Sequence, residues 1–139
     1  MIHKNLDGIL PAQGEGPEDV QLLDLVNRAT AEEMPDAFER FAFSVGIEAW
    51  LRAVFACNAY VDVQAPWALR KTDPERMADV LGTLVSAVRE LTRAIAPIVP
   101  EAADKLLTLI DAGDGGSRIP QPTPIFPRLE LPADEEATA

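Results

Sequence analysis

Thr72-Asp73-Pro74-Glu75-Arg76-Met77-Ala78-Asp79-Val80-Leu81-Gly82-Thr83-Leu84-Val85-Ser86-Ala87-Val88-Arg89-Glu90-Leu91-Thr92-Arg93-Ala94-Ile95 is the stretch that decides the fold. Met77, Val80, Leu81, Leu84, Val85, Val88, Leu91 and Ile95 recur every three or four residues, the period of one helix face. Arg76, Asp79, Arg89, Glu90 and Arg93 lie off that stripe. The start is well marked. Thr72 or Asp73 can cap, Glu75 can complete a capping box, and Pro74 is tolerated in a first turn. Pro97 ends the run, giving an expected helix over Pro74–Ala96. So one-sided a helix needs other helices to cover its apolar face.

Its neighbours supply them. Downstream, Pro100-Glu101 opens a helix to Ala112, with Ala103, Leu106, Leu107 and Ile110 inward and Gly113 as its C′ residue. Upstream, Pro17 suits a first turn, and Glu18 and Asp19 complement the helix dipole. Val20, Leu23, Val26 and Asn27, with Leu22 alongside, then follow a helical spacing, giving a helix over Pro17–Glu33. Pro35 restarts the pattern. Phe38, Phe41, Ala42, Val45, Ala49, Trp50 or Leu51, Val54, Cys57 and Val61 read as one long helix from Asp36 to Gln64, closed by Pro66. Leu84, Val88 and Leu91 are expected to pack on Phe41, Val45 and Val54. No segment alternates as a strand does, so the expected class is all-α, an antiparallel helical bundle. Residues 1–16 read as an N-terminal loop segment and 17–112 as the bundle. Residues 113–139 read as a Pro/Gly-rich tail ending in the acidic run Asp134-Glu135-Glu136.

Composition narrows the function. The 139 residues carry 12 Lys and Arg against 23 Asp and Glu, a net charge of −11. Such a chain does not bind phosphate backbones through bulk electrostatics, so any nucleic-acid role must rest on a local site. The single cysteine, Cys57, excludes an internal disulfide, and one histidine with one cysteine leaves no zinc set. No metal or cofactor is expected. No apolar run is long enough for a bilayer span, and no secretory signal is visible, so the expected location is cytoplasmic. Glu48 and Arg52 are spaced as an i,i+4 surface pair. Cys57 reads as a small core hydrophobe, and no catalytic constellation emerges.

Asn58-Ala59-Tyr60-Val61-Asp62-Val63-Gln64-Ala65-Pro66-Trp67-Ala68-Leu69-Arg70-Lys71 is denser in chemistry than the rest. Asn58 and Asp62 share a helix face one turn apart. Trp67 follows the helix end, and Arg70 with Lys71 is an adjacent basic pair. An indole beside amide, carboxylate and cationic groups is what single-strand base recognition uses. The same residues also fit a Trp67 core plug with Asp62 in a local salt bridge.

This segment resembles the Asn-x-Tyr-Ile/Val-Asp-x-x-x-Pro-Trp-x-Leu-x-Lys run of the methionyl-tRNA synthetase anticodon-binding domain. The flanks resemble it too: Lys4-Asn5-Leu6-Asp7-Gly8 with Pro11, the Pro97-Ile98-Val99-Pro100 corner, and Pro124-Ile125-Phe126-Pro127-Arg128-Leu129-Glu130. The likeness runs through nearly the whole chain in order. It implies a helical bundle that reads the CAU anticodon of methionine tRNA within the full synthetase. It also implies Trp67 as the base-stacking residue, with Asp62, Asn58 and Arg70 around it. A carboxylate can accept from cytosine N4 or orient a basic side chain.

Two parts of the family pattern are expected to be absent. Its asparagine and arginine readers on the first helix would fall at or before Met1-Ile2-His3, and Asn27-Arg28 lies too late to replace them. The catalytic domain has no counterpart either, so the chain is expected to be non-catalytic, a fragment or a free-standing relative. An alternative keeps the bundle as a protein-interaction module. It would bind a second copy or another protein through the apolar face left by the missing helix, a face that Met1–Lys4 or the tail around Ile125-Phe126 could also cover.

Overall fold

The computed structural model describes Ile2, Leu6 and residues 8–113. Among these the architecture is an antiparallel bundle of helices without strands: α1 (Pro17–Arg28), α2 (Met34–Glu39), α3 (Phe43–Gln64), α4 (Pro66–Thr72), α5 (Pro74–Ile95) and α6 (Pro100–Asp111). The proline-rich tail lies outside the described residues. As its stripe predicts, α5 is the hub and packs against α1, α3, α4 and α6. Asp73 is its cap, with Oδ1 accepting from the Arg76 N–H at 3.1 Å. That choice puts Arg76, not Glu75, at the third helical position, so the expected Thr72–Glu75 box does not form.

The expected boundary at Pro35 is not a boundary. The chain runs from α1 through a π-turn, Ala29–Glu33, directly into α2, with Met34 N–H bonded to the Ala29 carbonyl. A π-turn widens the helix, which makes room for a proline ring that a regular turn would reject. The break falls instead at Arg40–Ala42, where Phe41 takes φ 60°. The expected helix Asp36–Gln64 is therefore two.

The expected face of α3 holds only in part: Ala49 and Cys57 are buried and Trp50 and Val54 pack on the core as expected, but Phe41, Val45 and Leu51 do not turn inward. Gly46, Ala49, Ala53, Cys57 and Tyr60 are inside, while Phe41, Phe43, Val45, Leu51 and Phe55 stand out in solvent. Phe41 and Val45 are thus not partners of Leu84, Val88 and Leu91. Small side chains let α3 approach its neighbours closely, and the Phe38 ring fills the space a Cβ at Gly46 would need. Trp50 is half-buried, its Nε1–H donating to the Leu91 carbonyl at 2.8 Å. Arg52 does not pair with Glu48. Its guanidinium meets Glu33 Oε2 at 3.4 Å, tying α3 to the π-turn.

The core joins Leu22, Val26 and Ala29 to Ala53, Cys57 and Tyr60 and to Val80, Ala87 and Leu91, with Val54, Leu69 and Leu84 packed around them. Burying each large aliphatic side chain contributes about 1.5–3 kcal/mol. The segment before α1 lies across α5. A Cβ at Gly82 would run into the Ala12 carbonyl, and the Gly14 N–H donates to Thr83 Oγ at 2.9 Å. Thr83 in turn donates to the Asp79 carbonyl at 2.9 Å. Nearby, a wholly apolar groove between α5 and α6 is lined by Ile2, Leu84, Val85, Val88, Leu106 and Leu109.

Candidate nucleic-acid interface

The α3–α4 corner carries the dense motif. Asn58 and Asp62 stand exposed on α3, one turn apart. Ala65 then turns the chain in the left-handed region, φ 46° and ψ 64°, and serves both as the C-cap of α3 and the N-cap of α4. A non-glycine residue there costs roughly 1–2 kcal/mol, so the packing on either side must hold it. Pro66 is fully buried and Leu69 packs on the core. Those two anchors turn the other face of α4 outward, carrying Trp67, Arg70 and Lys71. Trp67 is 54% exposed. It sits in the first turn of α4 rather than in a loop, because Pro66 starts a new helix as well as ending the old one. It is not a core plug.

Beneath the corner lies an array that sequence reading missed. Asp19, wholly buried, accepts from four donors. Arg76 Nη1 reaches Oδ2 at 2.7 Å and Nη2 reaches Oδ1 at 3.1 Å. The Gly16 N–H reaches Oδ2 at 3.1 Å, and the Tyr60 hydroxyl donates to Oδ1. Arg76 Nη2 also donates to Gln64 Oε1 at 3.0 Å. Asp19 thus links the start of α1, the last turns of α3 and the start of α5.

Electrostatics follow this geometry. Burial alone would raise the Asp19 pKa, but the hydrogen bonds from Arg76, Tyr60 and Gly16, with the Arg76 charge, hold it below the usual carboxylate value. Burial and the Asp19 bond push the Tyr60 hydroxyl far up, so it stays a donor. The bond to Asp19 raises Arg76 still further. Burial raises the Cys57 thiol, which matches a core role.

Within the motif, then, Asn58, Asp62 and Trp67 face solvent, whereas Tyr60 and Gln64 face the array. The one available sequence signal was spacing. Asp19 completes the α1 face of Leu22, Val26 and Ala29, a charge on an apolar stripe. Val20, part of the helical spacing read from sequence, is 48% exposed. Among the described residues no three Asp, Glu, His or Cys side chains are grouped to hold a metal, and no helix is long and apolar enough to cross a membrane.

The comparisons place this helical bundle in the class of aminoacyl-tRNA synthetase anticodon-binding domains. The family model described as the anticodon binding domain of methionyl tRNA ligase matches residues 10–122. Methionine–tRNA ligase of Brucella melitensis biotype 1 is 34% identical over 98% of the chain, which covers 29% of that protein. That of Mesorhizobium japonicum is 36% identical over 92% of the chain, covering 28% of it. The apo crystal structure of Mycobacterium tuberculosis methionyl-tRNA synthetase superposes with a TM-score of 0.82 at 32% identity, over 95% of this chain and 30% of that one. The chain belongs to the methionyl-tRNA ligase anticodon-binding domain family. It spans a little under a third of the length of these relatives.

Proposed function

We propose that this domain reads the CAU anticodon of methionine tRNA as a binding module within a synthetase, and that it carries no catalytic step itself. Trp67 is the residue on which an anticodon base stacks. The observation that carries this reading is its exposure: a large indole held out of the core at a fixed corner while its neighbours Pro66 and Leu69 are packed in. Asp62 supplies an acceptor for cytosine N4, Asn58 an amide for base edges, and Arg70 the cation on the exposed side of α4.

Stacking on one aromatic is worth about 1–3 kcal/mol per base, which alone gives millimolar or weaker binding. A net charge of −11 opposes anything tighter. The isolated chain is therefore expected to bind an anticodon stem-loop weakly at physiological salt. Titration of the stem-loop into chain labelled at its indoles, followed by NMR at low salt, tests the site. The Trp67 resonance should move and the Trp50 resonance should stay. The response should shrink when the first anticodon base is changed from C to U, because uracil offers Asp62 no amino donor. An unmoved Trp67, or an equal response to both loops, would contradict the reading.

A further inference from the structure

Trp67 stands on a backbone corner that does not hold itself. Ala65 occupies a left-handed conformation without the freedom of a glycine. On its far side the chain is secured by buried Pro66. On its near side is Gln64, the last residue of α3, and its side-chain oxygen accepts from Arg76 Nη2 at 3.0 Å. Arg76 is itself fixed. Its guanidinium is two-pronged on Asp19, and its backbone N–H is bonded to the Asp73 cap. Tyr60, one turn before Gln64, meets the same carboxylate. The two turns of α3 that lead into the corner are thus fastened to one rigid, buried point.

We propose that Arg76 and Gln64 are positioning residues for Trp67: the Asp19-anchored guanidinium grips Gln64 and so fixes the Ala65 corner, which holds the indole in one orientation. Preorganisation is the physical gain, because a platform already ordered loses less freedom when a base stacks on it. The proposal rests on the reading of Trp67 as the stacking residue, and it adds what aims that residue.

The test uses the full 139-residue chain labelled with 5-fluorotryptophan, which has two indoles, Trp50 and Trp67. Trp67→Phe assigns the two fluorine resonances. Gln64→Leu removes the acceptor, Gln64→Glu keeps it, and Arg76→Lys removes the two-pronged grip. In Gln64→Leu the Trp67 resonance is expected to shift toward its denatured position while Trp50 keeps its own, and Gln64→Glu is expected to restore the original position. A Trp67 resonance unchanged in Gln64→Leu overturns the proposal. So does movement of both resonances together, which marks a general loosening. Arg76→Lys is expected to move the Trp67 resonance in the same direction as Gln64→Leu, and a folded Arg76→Lys chain with an unmoved Trp67 resonance overturns the role of Arg76. Gln64 is half-buried at a helix end, so its variants carry the test if Arg76→Lys fails to fold. The fluorine signal is read without RNA. Failure of RNA binding to depend on Trp67 would remove the functional reading alone, and failure of the shift would remove the positioning role alone.

Discussion

Arg76 and Asp19, 57 residues apart in sequence, form a two-pronged ion pair at 2.7 and 3.1 Å in which the carboxylate is wholly buried. Removing only the cation strands a buried charge. Arg76→Ala is therefore expected to cost about 3–5 kcal/mol, whereas replacing both partners by apolar residues, Asp19→Leu with Arg76→Met, should recover much of that loss. Urea denaturation of the three chains checks the order. A double variant no better than Arg76→Ala would show that the array does more than neutralise its own charge.

The same carboxylate makes stability depend on acid. Its folded-state pKa lies below the unfolded value of about 3.9. Between those two values the unfolded chain binds a proton that the folded chain does not, so stability rises with pH across that window. The contribution is complete above the unfolded pKa, from about pH 5 upward, and is lost as pH falls through the folded one. Denaturation midpoints measured from pH 7 to pH 3 should fall less steeply in Asp19→Asn than in the parent chain. Parallel curves would place the acid sensitivity elsewhere.

Gly82 tests the crossing of the N-terminal segment over α5. Alanine is the better helix former by about 1 kcal/mol. Here its Cβ would meet the Ala12 carbonyl, part of a backbone that cannot simply rotate away. Gly82→Ala is expected to cost about 1–3 kcal/mol in spite of propensity, as overpacked sites do. Thermal unfolding at an unchanged or raised midpoint would show that the segment yields freely.

Ala65 tests the corner in the opposite direction. Its left-handed backbone suits glycine. Ala65→Gly should raise stability by about 1 kcal/mol, the strain released less the extra freedom of glycine in the unfolded chain. Calorimetry reads the sign. A clear loss would mean that the alanine methyl packs well enough to offset the strain.

What the sequence disclosed and what it hid divide along one physical line. The α5 stripe, the Asp73-Pro74 start and the end of α6 just before Gly113 depend on residues within a turn or two of each other, and local spacing disclosed them. The exposure of Trp67 was not decided by spacing, which fits a core plug equally well; only the likeness of its Pro-Trp segment to a known motif pointed it outward. The Asp19 array was not legible, since its partners Tyr60 and Arg76 are 41 and 57 residues away and a lone acidic residue reads as a helix-dipole partner. The break at Phe41 was hidden for a different reason. No glycine, proline or asparagine marks it, while Pro35 is a strong break signal that the π-turn absorbs. On α3 the spacing placed Ala49 and Cys57 correctly but also counted Phe41, Val45 and Leu51 inward, because close helix packing buries small side chains rather than large ones.

The central claim is that Trp67 serves RNA recognition and not the integrity of the bundle. In a methionyl-tRNA synthetase carrying this domain, Trp67→Ala is compared with the parent in two assays, methionine-dependent pyrophosphate exchange and charging of methionine tRNA. Loss of one stacking platform should lower charging efficiency roughly 5- to 150-fold, the equivalent of about 1–3 kcal/mol, with exchange unchanged. Equal loss in both assays, or loss in neither, would contradict the account.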